Sequence, residues 1–266
     1  MSLRVASTAK TIDLELFSQV ILSIGRVSDV RLNESAKIPA YLIQLVFSEG
    51  LMKEHFDLSK KRFYTSSAQL VSNHTEEDIC GNMLLSVINF PRKQIGKVMS
   101  DCLVTGVQKE LISSEGKRET TIFMRPSKDV LAGSRVDILP ELVGPSVVDA
   151  NPRNLSWPEF MDLDLRIAEV EGFEILSRDF KSTLLKVKCI VNLGEMGRVT
   201  CMAAFSKEFE IKTFLSRQIL VLTNLNQEQI SDLFEIDFES EVVALTVAAS
   251  AVLEPAKRVE PGFKLA

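Results

Sequence analysis

Ligands for metal or nucleophile chemistry are scarce in this chain of 266 residues, which holds two histidines, His55 and His74, and four cysteines. Cys80, Cys102, Cys189 and Cys201 lie 22, 87 and 12 residues apart, a spacing that fits neither paired zinc ligands nor a small disulfide scaffold. Reduced, mostly buried thiols in a cytosol-like compartment are expected. His74 falls in Asn73-His74-Thr75-Glu76-Glu77-Asp78, where Asn73 or Thr75 can cap a short helix and the acids suit its positive first turn. It reads as a surface-loop histidine.

Long apolar runs are also missing. The longest weakly polar stretch, Val242 to Leu253, has 12 residues, contains Thr246 and Ser250, and falls short of the roughly 18 that a membrane span needs. Met1 to Lys10 lacks the apolar stretch of a secretory signal and reads as a disordered tail. A positive charge excess is absent as well: 31 Lys and Arg stand against 36 Asp and Glu, for a net charge of −5. Nucleic acid, if bound, must therefore meet a local patch.

Apolar residues make up 45% and charged residues 25% of the sequence, as in folded globular proteins, and domains of roughly 150 residues suggest two of them. The sequence repeats itself. Pro126, Lys128, Val130 and Gly133 recur as Pro255, Lys257, Val259 and Gly262, 129 residues on, and Arg135 aligns with Lys264. Asn89, Gln94 and Ile95 recur as Asn224, Gln229 and Ile230 at an offset of 135, which also matches Thr65 and Ala68 to Thr200 and Ala203. Phe17, Leu22, Ile24 and Val27 match Phe160, Leu165, Ile167 and Val170 at an offset of 143. Offsets that drift in order along the chain are what two copies with unequal loops produce. Between them, Pro140, Gly144, Pro145, Pro152 and Pro158 mark a linker over 139–158, with Trp157 as an anchor at its end.

Each copy reads as strands. Leu163, Leu165 and Ile167 alternate with polar residues; Leu185, Val187, Cys189 and Val191 oppose Lys186 and Lys188; Ile43, Leu45 and Phe47 alternate in the first copy. About five strands and a short helix per copy suggest a small closed barrel of the OB type. The fold class expected is all-β: two OB-fold Greek-key barrels in tandem, at 17–138 and 159–266, preceded by a flexible tail over 1–16.

Four ordered motifs of the first copy carry a family resemblance. Ala36-Lys37-Ile38-Pro39-Ala40-Tyr41, Thr65-Ser66-Ser67-Ala68-Gln69, Val87-Ile88-Asn89-Phe90-Pro91-Arg92-Lys93-Gln94-Ile95 and Ser100-Asp101-Cys102-Leu103-Val104-Thr105-Gly106, followed by Pro126 to Gly133, resemble the CsaA-type branch of the tRNA-binding OB-fold proteins. The second copy resembles the broader family, including domains appended to some aminoacyl-tRNA synthetases, through Phe160, Leu163, Asp164, Leu165, Arg166, Ile167, Asn224 and Ser240-Glu241. It departs from that pattern at Ala168, where the family has glycine, and has no basic pair after Asn224. The first copy keeps Gly25 but has Ile21 and Ser23 where the second has Asp164 and Arg166. Such domains act as homodimers, so the resemblance implies an intramolecular pseudo-dimer that is monomeric in solution.

The resemblance places RNA binding on the first copy. Arg92 and Lys93 supply charge for phosphate, Asn89 and Gln94 hydrogen bonds to ribose or base edges, and Ser66, Ser67 and Gln69 a neighbouring strand. Lys97 and the Lys60-Lys61-Arg62 run extend the positive surface, while Phe63, Tyr64 and Phe90 offer a stacking face. The same residues have plainer uses: turn chemistry at Asn89, a solvated loop at Lys60 to Arg62, core or interface packing for the aromatics, and a seam for Ser66, Ser67 and Gln69. Residues 1–145 carry a net +1 and residues 146–266 a net −6, with Asp232, Glu235, Asp237, Glu239 and Glu241 near the second copy's equivalent face. One binding copy and one architectural copy are expected. The function expected is non-catalytic binding of tRNA or structured RNA, with no cofactor or metal, in the cytoplasm. The competing function is a CsaA-like chaperone or assembly factor whose partner is a polypeptide, such as an aminoacyl-tRNA synthetase or an export substrate. An enzyme is disfavoured because no nucleophile and base constellation or phosphate-cradling glycine loop is present.

Overall fold

The computed structural model describes residues 9–47, 63–113, 116–139, 154–177, 184–236, 240 and 242–265. The chain is all-β with short helices. In the first half, α1 (Leu14–Gln19) leads into β1 (Leu22–Leu32), β2 (Tyr41–Val46) and β3 (Tyr64–Ala68). Next come α2 (Glu76–Ile79), β4 (Met83–Val87), the hairpin β5 (Lys93–Ile95) and β6 (Val98–Ser100), and β7 (Leu103–Val104). A long hairpin, β8 (Gly106–Ser113) and β9 (Gly116–Pro126), and the short β10 (Val136–Asp137) complete the half. The second half runs through α3 (Trp157–Met161), β11 (Leu165–Ser177), β12 (Leu184–Asn192), β13 (Arg198–Ser206), β14 (Gln218–Leu222), α4 (Gln227–Phe234), β15 (Val242–Ala244), β16 (Thr246–Val247) and β17 (Ala251–Pro255).

β11, β12, β13, β15 and β14 form a closed barrel, and β3, β2, β1, β4 and β7 form a five-stranded sheet in that order. The expected closed barrel is thus complete by strand pairing only in the second half. In the first, the gap between β3 and β7 is bridged by Asp101 N–H donating to the Thr65 carbonyl at 2.7 Å and Val104 N–H donating to Ser66 Oγ at 3.1 Å.

A third sheet joins the halves, in the order β10, β16, β17, β9, β8. β17 lies antiparallel to β9, with Leu253 opposite Pro126, Glu254 opposite Arg125 and Pro255 opposite Met124. Exchanging each residue for its counterpart 129 positions away turns this ladder into itself, with an approximate two-fold axis at the Arg125–Glu254 pair. Exchange of counterparts, 143 positions apart for Ser23 and Ile24 and 129 apart for Ser134 and Arg135, relates other contacts as well. The Ser23–Arg135 bridge matches the Arg166–Lys264 bridge, and Ile24 N–H to the Ser134 carbonyl matches Ile167 N–H to the Phe263 carbonyl.

This arrangement accounts for the apolar runs in the sequence. β4 and β14 are buried at all five positions: one face fills a barrel and the other the seam. Leu84 belongs to the first barrel's core, with Ile43, Leu45 and Phe47. Val221 belongs to the second, with Val187, Cys189 and Val191. Met83, Leu85 and Val87 join Leu220, Leu222, Leu253 and Ile122 in one apolar cluster drawn from both halves. Strands covered on both faces lose the period-two signal.

Three expectations are corrected. The tail expected over 1–16 is structured from Ala9 onward: Ile12 is buried and bridges to Leu225 of the second half, and α1 begins at Leu14. The linker expected over 139–158 lies outside the described residues at 140–153, but its end is α3, whose first turn accommodates Pro158 behind a Ser156 and Glu159 capping box. His74 is not on the surface; it is buried, with its ring 4.5 Å from that of Phe123. Thr75 does cap α2.

Candidate nucleic-acid interface

Asn89 and Asn224 sit at corresponding corners of the two halves and perform the same local task. Asn89 Oδ1 accepts from Ile21 N–H at 3.0 Å and its Nδ2 donates to the Gln19 carbonyl at 2.8 Å. Asn224 Oδ1 accepts from Asp164 N–H at 2.9 Å and its Nδ2 donates to the Asp162 carbonyl at 2.8 Å. Each asparagine also receives the other half's leading arm on its own carbonyl: Leu155 N–H donates to Asn89 O at 2.8 Å and Ile12 N–H to Asn224 O at 2.9 Å. Both side chains are buried. Asn89 is therefore a clamp on the chain entering β1, and the expectation that its amide reads ribose or base is corrected.

Beyond Asn89 the two halves diverge. In the first, the chain forms the β5–β6 hairpin, which leaves a groove of about 510 Å³ open against the sheet. Arg92 and Lys93 form one wall, Ser67, Ala68 and Gln69 of the β3 edge another, and Cys102, Leu103 and Val104 the floor. Trp157 of α3 closes the groove from the other half. In the second, α4 replaces the hairpin: Asn226 caps it, accepting from Glu228 N–H at 2.9 Å. Its Ile230 and Phe234 are fully buried in the apolar cluster with Met202, Ala204 and Val243. These residues correspond to Ser67, Gln69 and Leu103, so the equivalent of the groove is filled.

Arg92 is held in place. Its Nε donates to Asp101 Oδ1 at 2.8 Å, the carboxylate's side chain being 6% exposed and the arginine's 63% exposed. Asp101 Oδ2 accepts from Thr65 N–H at 3.0 Å, so a buried carboxylate locked to β3 fixes one edge of an exposed guanidinium. Lys93 is exposed beside it. Phe90 packs edge-to-face on Phe160 at 5.6 Å and lies 6.0 Å from the Trp157 ring. Trp157 keeps half its surface exposed.

Of the residues expected at the site, the structure brings together Arg92, Lys93, Ser67 and Gln69 around the groove. Gln94 and Lys97 are exposed on the neighbouring hairpin, where Gln94 Nε2 donates to the Gly96 carbonyl at 3.2 Å and Lys97 N–H to Ser35 Oγ at 2.9 Å. Ser66 is fully buried beneath the strand gap, which corrects its placement at the surface. Lys60, Lys61 and Arg62 lie outside the described residues. Tyr64 packs edge-to-face on Phe47 at 5.4 Å, and its hydroxyl is shifted upward, mainly by burial; Phe63 is partly exposed. In the second half, Glu235 pairs with Lys186 at 2.6 Å, and Asp237, Glu239 and Glu241 lie outside the described residues. Trp157, expected from the sequence as an anchor, lines the groove as well; the signal that points to it is a lone tryptophan next to the start of the second copy.

Cys189 and Cys201, buried in the core of the second barrel, take no part in this geometry. Burial pushes the Cys189 thiol up to about 12 and keeps it inert. Among the described residues, no three His, Cys, Asp or Glu side chains gather as a metal site requires, and no helix is long and apolar enough to cross a membrane.

No family model and no curated protein matches the sequence. Among solved structures the chain is similar to the CsaA chaperone protein from Picrophilus torridus, at 25% identity and TM-score 0.31 over 45% of this chain and 92% of that one. It is also similar to the chaperone CsaA from Bacillus anthracis, at 22% identity and TM-score 0.37 over 47% of this chain and 98% of that one. The C-terminal domain of Plasmodium vivax p43 matches at 14% identity and TM-score 0.41 over 71% of this chain and 93% of that one.

Proposed function

We propose that the protein binds tRNA or another structured RNA without performing chemistry on it, through the groove of the first half. On this reading the second half is an architectural partner within an intramolecular pseudo-dimer. The observation that carries the proposal is the fixed guanidinium of Arg92 beside exposed Lys93 at the rim of an open groove. A guanidinium anchored through Nε presents its outer nitrogens to a phosphate without first being immobilised, which lowers the entropic cost of the contact. The filled groove of the second half supports a division of labour, because Ile230 and Phe234 occupy the place where a ligand would lie.

Titrating tRNA against the full chain at several salt concentrations tests this. Each phosphate contact releases counterions, so binding should weaken steeply with salt, and Arg92→Gln combined with Lys93→Gln should reduce the slope of log K against log salt by about one to two. Neutral substitutions avoid setting a new acid against Asp101. An unchanged slope, or binding by neither protein, refutes the proposal; preferential binding of an unfolded polypeptide instead points to a chaperone-like role.

A further inference from the structure

We propose that the groove is a socket for an unpaired nucleobase, with Trp157 as its stacking platform, supplied to the first half's site by the second half. The inference rests on the RNA-binding reading above and adds the form of RNA that enters. The groove's walls differ in chemistry in the way a base and its backbone differ. At its rim lie the cations Arg92 and Lys93; inside, Ala68, Leu103 and Val104 give an apolar lining; Ser67, Gln69, Gln108 and Thr121 place hydroxyl and amide groups around it. Its volume of about 510 Å³ falls within the roughly 300 to 1,000 Å³ of small-ligand sites. It suits a single base with its sugar, whereas a helical duplex would meet the hairpin and α3.

Trp157 gives the socket its selectivity for a flat ligand. The indole stands at the first position of α3, half exposed, and packs against Phe90 at 6.0 Å and Phe160 at 5.9 Å. Two aromatic neighbours support it, and the Ser156–Glu159 capping box fixes the start of its helix. A half-exposed indole supported by two rings, in a groove that also holds a guanidinium, is the arrangement in which bases stack with little ordering cost, whatever their identity. α3 reaches this position because Leu155 N–H is bonded to the Asn89 carbonyl. The first half alone lacks this wall, so the site is incomplete without the second.

Trp157 is the sole tryptophan of the chain, so its fluorescence reports the event directly. The full-length protein is titrated with a short single-stranded oligoribonucleotide, with the same strand lacking one central base, and with its blunt duplex, while Trp157 emission is followed. The proposal expects quenching by the single strand, none by the duplex, and weaker binding of the abasic strand. Trp157→Leu should weaken single-strand binding about tenfold and Trp157→Phe much less, with both variants checked for the wild-type melting temperature. If Trp157→Leu is destabilised, the base-dependent quenching of the wild-type protein decides alone. RNA binding that depends on Arg92 and Lys93 but leaves the emission unchanged, or is equal for duplex and single strand, overturns the socket and leaves the RNA-binding reading standing. Quenching by an apolar peptide and by no RNA overturns both.

Discussion

At the scale of single residues, the repeat is a set of equivalent hydrogen bonds more than a set of equal side chains. Asn89 and Asn224 retain their identity because each amide accepts from a buried N–H through its oxygen and donates through its nitrogen to a carbonyl across the corner, Asn224 to that of Lys10 as well as that of Asp162. Asn89→Ala and Asn224→Ala should each lower stability by about 1 to 3 kcal/mol, the cost of an orphaned buried donor, as read from urea denaturation at unchanged m. Asn89→Ala should leave the salt slope of RNA binding intact. Gly25 and Ala168 differ for a packing reason: a Cβ at Gly25 would lie 2.8 Å from the Phe47 ring, whereas the second barrel has the smaller Leu193 at the position equivalent to Phe47.

Two buried titratable residues near the seam pull stability in opposite directions. Burial, with Lys257 nearby, pushes the His74 imidazole from 6.5 down to about 4. The unfolded chain takes up that proton first, so this contribution is complete above pH 6.5, declines as pH falls to about 4, and amounts to about 3 kcal/mol. Burial raises the Asp137 carboxyl from 3.8 to about 6, against the opposing pull of Arg135. The folded chain holds that proton longer, so stability falls as pH rises from about 4 to 6. The two trends offset each other in that window. His74→Gln should therefore unmask a stability that declines with rising pH between about 4 and 6, measurable by denaturant midpoints; a profile parallel to the wild type would refute the assignment.

At the scale of elements, the repeat's drifting offsets have identifiable sources. The offset falls to 129 after the β8–β9 hairpin because its counterpart, β16–β17, turns within a few residues through Ala248 and Ala249. Both alanines have positive φ, 48° and 51°, a conformation that costs an L-residue roughly 1 to 2 kcal/mol. Replacing them with Asn-Gly, the pair suited to such turns, should raise stability by about 1 kcal/mol, detectable as a higher melting temperature. The strands were legible from the sequence where one face met solvent or a single core, as in β12. They were least legible where both faces are buried, as in β4 and β14. The β5–β6 hairpin and α4 follow matching asparagines, and what separates them is the residues that come next. Asn226-Gln227-Glu228 supplies a cap and helix formers, while Phe90-Pro91 turns the chain out and leaves the groove open. The basic pair was visible in the sequence, whereas the wall contributed by Trp157 depends on an arm that crosses between halves, which no local pattern encodes.

At the scale of the whole molecule, the largest apolar cluster belongs to neither barrel. It combines Leu22, Ile24, Met83 and Leu85 of the first half with Leu165, Ile167, Leu220 and Leu222 of the second, and the β9–β17 ladder runs through it. Arms exchanged at Ile12 and Leu155 tie each half's entry to the other's exit corner. Separating the halves would expose these strands' second faces and leave β9 and β17 as open edges, a liability for association with other chains. Two barrels on a passive tether would unfold independently, but two that share a core and a sheet must unfold together. The full chain should accordingly melt in one transition with calorimetric and van't Hoff enthalpies equal, and light scattering should show a monomer, since the pairing surfaces are occupied within the chain. Arg125 and Arg217 both meet Glu254 in the seam, at 3.4 and 3.0 Å. Glu254→Leu, which leaves two half-buried guanidiniums without their carboxylate, should lower the single transition as a whole. Two resolved transitions, with only the later-copy barrel affected by Glu254→Leu, would show that the halves are separable and that the seam is a contact rather than a core.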